Sequence, residues 1–148
     1  MKKTLAIFIL FLSINLTYSQ NIKFLEQIST ISFWDIDDVM INGYGYRKMD
    51  VEQERTRKYA TIVDDNINSV IVITILNPKN SSAHTLDLSV GSDYSMDKFK
   101  SDLVENGYLY QGKNDYDLLV YRNEKNNILI SSEPNKAGAT QIILAPIE

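Results

Sequence analysis

The sequence has no cysteine, one histidine, three prolines and one tryptophan in 148 residues. Without cysteine there is no disulfide framework, no thiolate chemistry and no cysteine to carry a lipid. The lone histidine, His84, has no marked nucleophile to activate, because no Gly-x-Ser-x-Gly turn occurs. It reads as a turn or strand-edge residue. Carboxylates are plentiful, yet nothing in their spacing selects a pair for general acid and base work. Asp35, Asp37 and Asp38 diverge on a helix, where they complement the N-terminal dipole. Asp64-Asp65-Asn66 and Asn114-Asp115 read as turn chemistry, and a glycine-centred EF-hand loop is absent. The expectation is a chain with no catalytic residues, metal or cofactor.

Concentrated positive charge is also missing. Lysine and arginine number 15 against 19 acids, and the one basic cluster, Arg55-x-Arg57-Lys58, is too short to track a phosphate backbone. Nucleic acid is therefore not an expected partner. Nor is there an apolar run of the ~20 residues that a membrane-spanning helix needs. The longest, Leu5 to Leu16, follows Lys2-Lys3 and precedes the small residues Thr17 and Ser19, the grammar of a secretory signal peptide. Residues 1–19 are assigned to that signal, with cleavage between Ser19 and Gln20. Losing Lys2 and Lys3 leaves 13 basic and 19 acidic residues, a net charge of −6. The expected product is one soluble secreted domain, residues 20–148, with no stable membrane anchor. A disulfide-free exported chain suits a bacterial periplasm or exterior.

What is present is a phrase written twice, Asn42-Gly43-Tyr44-Gly45-Tyr46 and Asn106-Gly107-Tyr108-Leu109-Tyr110. Each copy follows a helical pattern. Phe33, Ile36, Val39 and Met40 keep the spacing of one buried helical face, as do Met96, Phe99, Leu103 and Val104 behind a Ser95 N-cap. Gly43 and Gly107 stand where a left-handed residue closes a helix. A further short helix fits Asn21 to Ile28. Strand patterns follow each glycine, near 56–62, 69–76 and 85–90, then near 117–122, 127–132 and 140–145. Short turns between them impose antiparallel pairing. The expected fold is α+β: two tandem helix-β-β-β units, about 29–91 and 92–148, joined in one antiparallel sheet with the helices on one face. The charged link Arg47 to Arg55 is either a loop across the open face or an edge strand.

This order resembles the β-lactamase inhibitor protein fold and related small periplasmic modules, including the lipoprotein of the outer-membrane barrel assembly machine. The resemblance covers the mature chain as architecture and carries no motif residue, since the family's cysteines are missing here. It implies a non-enzymatic protein-binding use of the open sheet face. On the residues themselves, Ile71, Ile73 and Ile75 belong to the helix-covered face. Val70, Val72, Thr74 and Leu76 then fall on the open one, to which Tyr59, Thr61, Leu119 and Tyr121 are added from neighbouring strands. The expected partner is a protein of the cell envelope or exterior, with a homodimer as the other occupant. A small-molecule or weakly catalytic pocket between helices and sheet is the alternative function.

Overall fold

The computed structural model describes residues 21–61, 66–79 and 81–147; the segment 1–19 expected to be a signal, Asp64-Asp65 and Asn80 lie outside them. Helix α1, Ile22–Thr30, starts where the Asn21 side chain accepts the Phe24 N–H at 2.9 Å. Its Phe24, Leu25 and Ile28 are buried one turn apart along a single face. A single α-helical turn, α2 (Ile36–Asp38), continues as a wider π-helical turn over Val39–Gly43. Here the Tyr44 N–H reaches the Val39 carbonyl, five residues back, at 3.0 Å. Helix α3, Met96–Glu105, is capped by Ser95, whose hydroxyl accepts the Lys98 N–H.

Eight strands follow these helices in two runs: β1 (Arg47–Met49), β2 (Thr56–Ala60), β3 (Ile71–Leu76) and β4 (Thr85–Val90), then β5 (Leu109–Lys113), β6 (Leu118–Arg122), β7 (Asn126–Ser131) and β8 (Thr140–Pro146). They form one antiparallel sheet in the order β1-β2-β3-β4-β8-β7-β6-β5. The order reads alike inward from either edge, with β4 and β8 meeting in the middle. The fold is therefore α+β with a single antiparallel sheet, but with eight strands instead of six. The two extra strands are the edges. Part of the Arg47 to Arg55 link pairs with β2, and the segment after Tyr108, to which the sequence pattern assigns no strand, pairs with β6.

Leu86 and Leu88 face Leu144 and Ile142 across the central pair, and α1 lies over this seam, packed on β4, β8 and α3. The helix covering the sheet centre is thus the short one at Asn21 to Ile28, outside the repeat boundary drawn at residue 29. The pattern at 33–43 instead packs beside β1 at the rim. Its apolar stripe is real, since Phe33, Ile36 and Met40 are buried. In α3 the stripe is narrower than expected. Phe99 and Leu103 are buried and Val104 is 61% exposed. Among the described residues no helix is long and apolar enough to cross a membrane.

The two glycines of the repeated phrase differ. Gly107 ends α3 at φ +83°, whereas Gly43 is not left-handed and the positive φ falls on Gly45, at +72°. The π-helical turn carries the chain two residues further before it reverses. Gly107→Ala is expected to cost about 1–2 kcal/mol through the left-handed penalty alone, and Gly43→Ala less than about 0.5 kcal/mol. Equal costs in urea denaturation would contradict this difference.

Candidate functional site

Strand parity sorts every sheet residue onto one of two faces. Ile71, Ile73 and Ile75 turn toward the helices and are buried with Leu86, Leu88 and Val90. Val72 and Thr74 lie on the opposite face, half-buried; Leu76 follows them, partly exposed, and Val70 precedes them in phase. These four residues stand where the sequence placed them.

The other four do not. Tyr59 is registered with Ile73 and fully buried, and the Thr61 N–H bonds the Ile71 carbonyl, which puts both on the helix-covered face. Tyr121 pairs with Ile128 and Leu119 with Ile130, on that face again. The phase was misread for a physical reason. Each of these strands carries acceptable core residues on both sides, so alternation alone leaves it undecided. In β2 the covered face also includes Arg57, a charge that disguises it. The guanidinium lies 4.4 Å from the Phe33 ring centroid, and its Nε is 3.8 Å from Asp37 Oδ1.

Asp37 is the hub of that rim. It accepts the Tyr59 hydroxyl proton at 2.5 Å and pairs with Lys48 Nζ at 2.6 Å, fastening α2 to β1 and β2. Helix-dipole complementarity, the role expected for this acid, is secondary to these contacts. His84 is likewise a fastener. It is buried, its backbone N–H donates to Ser29 and its Nε2–H donates to the Ile31 carbonyl, each at 2.7 Å, so that the end of α1 is tied to β4. Among the described residues no three His, Asp or Glu side chains converge closely enough to hold a metal ion.

The open face is a ruled surface. One row crosses the whole sheet: Gly112, Val120, Leu129, Ile143, Asp87, Thr74, Lys58 and Met49, each registered with the next. Its β5–β8 half is apolar, flanked by Leu118 and Ala145. The β1–β4 half is polar, and a depression of about 390 Å³ bordered by Lys58, Asp87, Glu133 and Gln141 runs from it across the ends of β7 and β8. Gln141 Nε2 donates to the Asp87 carboxylate at 3.0 Å. The apolar half escaped sequence reading because Leu118 to Tyr121 and Ile128 to Ile130 are apolar without alternation; pairing register is the signal that separates their faces.

Charge divides between the layers. The helices and their flanks hold Glu26, Asp35, Asp37, Asp38, Asp97, Asp102 and Glu105 against Lys23, Lys98 and Lys100. Open-face strand positions hold Arg47, Lys58 and Arg122 against Asp87 alone. Both sheet edges are blunted. β1 is three residues long and charged, and β5 is bulged between Tyr110 and Gly112, which sits at φ +98°. The link that might have crossed the open face stays at its margin, with Arg55 bonded to the carbonyls of Asn77 and Pro78. A separate cleft of about 1190 Å³ opens at one end, between α1 and the β6–β7 turn. On the covered side, Glu26 accepts the Tyr108 hydroxyl proton at 2.8 Å.

Burial and a carboxylate neighbour raise three phenols well above their ordinary value of 10.0: Tyr59 beside Asp37, Tyr94 near Asp102 and Tyr108 on Glu26. Burial opposes ionisation of Asp37, but Lys48, Tyr59 and Arg57 outweigh it and hold its carboxyl below 3.8. A phenol raised on folding stabilises fully below pH ~10 and loses that contribution as pH climbs above it. The depressed carboxyl stabilises above pH ~4 and loses its contribution as pH falls below that. Alkaline titration is expected to ionise the three phenols together with unfolding, as a tyrosinate absorbance step coincident with loss of circular dichroism. Full ionisation of all tyrosines near pH ~10 in a still-folded chain would refute it. Asp37→Asn should flatten the acid limb of the stability curve. The chain matches no protein family model, no curated protein and no solved structure.

Proposed function

We propose that the chain is an exported, non-enzymatic module that binds another protein of the cell envelope or exterior through the open face of its sheet. One observation carries this reading. Val120, Leu129 and Ile143 form a contiguous apolar block, widened by Leu118 and Ala145, on a face to which no described helix packs. Burying a large aliphatic side chain is worth about 1.5–3 kcal/mol at most, so a half-buried block keeps a substantial part of that in reserve for a partner. The blunted edges favour face-on contact over strand addition. Export rests on the signal-like segment before Gln20, and the mirrored strand order supports a duplicated unit.

A ligand pocket between helices and sheet finds less support. That space is filled by Ile22, Phe24, Leu25, Ile28, Phe99 and Leu103 against the aliphatic strand residues, and a ligand there would have to displace them.

The test is affinity capture of the tagged chain from its own cells, with Val120→Lys and Leu129→Lys beside the unaltered protein. Both variants should stay folded, with stability changes of about 1 kcal/mol or less, and lose the specific partner. Folded variants that retain every specific partner would overturn the face assignment. Tyr121→Lys, by contrast, should unfold the chain, because it places a charge in the core.

A further inference from the structure

The apolar half of the open face is too small to act alone. Strands about 4.8 Å apart with about 3.3 Å per residue give the β5–β8 half roughly 350 Å² and the whole face roughly 700 Å². Counted on both partners, these become roughly 700 Å² and 1,400 Å², and a stable specific interface requires about 1,000–1,200 Å². An occupant must therefore span Val120, Leu129 and Ile143 and also reach Asp87 and Lys58.

A second copy of the chain meets this requirement badly. A twofold axis parallel to the strands and through the β4–β8 seam lays Ile143 on Asp87 and Val120 on Lys58. An axis across the strands lays Lys58 on Lys58 and Asp87 on Asp87. Either arrangement buries charge without a counter-charge, which costs several kcal/mol per ion.

We infer that the occupant is a different protein whose apolar contact patch is bordered by carboxylates. This inference rests on the open-face reading and adds the chemistry of the partner. Its support is the balance of charge on this face, Arg47, Lys58 and Arg122 at strand positions against Asp87, with Glu133 beside the depression. On the covered side Lys48 and Arg57 are spent on Asp37, and Lys113 on Asp117. On the open face Arg47 at the start of β1, Lys58 in β2 and Arg122 at the end of β6, where it also lines the end cleft, make no ion pair among the described residues, and neither do Lys23, Lys98 and Lys100 on the helices. The chain as a whole carries −4, whereas this face holds three cations to the two acids Asp87 and Glu133. At physiological salt the screening length is about 8 Å, so each cation selects the group placed directly opposite it and does not steer from afar. Specificity then comes from carboxylates at matching positions.

The experiment titrates the isotope-labelled chain with two synthetic amphipathic peptides that share a leucine face and carry either glutamate or lysine on the other. The glutamate peptide is expected to shift the resonances of Val120, Leu129 and Ile143 and to bind about tenfold more tightly than the lysine peptide. The double variant Lys58→Glu, Arg122→Glu should reverse that preference. Open-face shifts with no preference between the peptides overturn the acidic partner while leaving the face reading intact. Shifts confined to the helices or to the end cleft overturn both. Dimerisation of the chain alone in sedimentation, abolished by Leu129→Lys, overturns the foreign partner in favour of a second copy.

Discussion

The pairing of β4 with β8 is the interaction on which the rest of this molecule depends. It joins two four-stranded halves whose helices could not otherwise share a core, and it does so through Leu86, Leu88, Ile142 and Leu144 on the buried side. Helix α1 lies along that line like a keel. Its apolar face seals the seam, while polar contacts fix its position. The Ile22 N–H donates to Asp102 on α3, Tyr108 donates to Glu26, and His84 holds the last turn. Burial supplies most of the attraction, and these bonds decide which arrangement is retained.

Charge has two uses in the structure, separated by the sheet. On the helical side Asp37 gathers Lys48, Arg57 and Tyr59 into a rim cluster that closes the gap between the π-helical turn and the first two strands. Removing any one partner leaves the others partly desolvated, so that cluster is structural. On the other side three cations are spaced across a surface with Asp87, held by Gln141, and Glu133 at its border. The proposed role follows from the excess of cations over acids at open-face positions, with the apolar block beside them as the source of affinity.

Much of the architecture was legible from the residues. The helix cap at Ser95, the alternation of Leu86, Leu88 and Val90, and the short polar turns were sufficient for an antiparallel α+β sheet. The edges were not legible, because β1 and β5 are short and lack alternation. Among the site residues, Val72 and Thr74 were placed correctly since Ile71, Ile73 and Ile75 fix the phase of β3 without ambiguity. Tyr59 and Tyr121 were misplaced since an amphipathic ring suits either face, and only register with Ile73 and Ile128 decides. The π-helical turn was invisible for a different reason. Its side chains obey helical spacing, and the extra residue is absorbed in backbone winding that no side-chain pattern records.

The central place of β8 has a temporal meaning. Of the eight strands, the one at the middle of the sheet comes last in the sequence, and its partner β4 lies 50 or more positions earlier in the chain. Until β8 arrives, β4 is a hydrogen-bonding edge facing open space, and the β5–β7 run has no neighbour on its inner side. Such non-local closure slows folding and prolongs exposure of unpaired strands. A chain built in this way completes its sheet from the centre at the final step, so premature compaction of the first half would leave its most aggregation-prone edge unguarded.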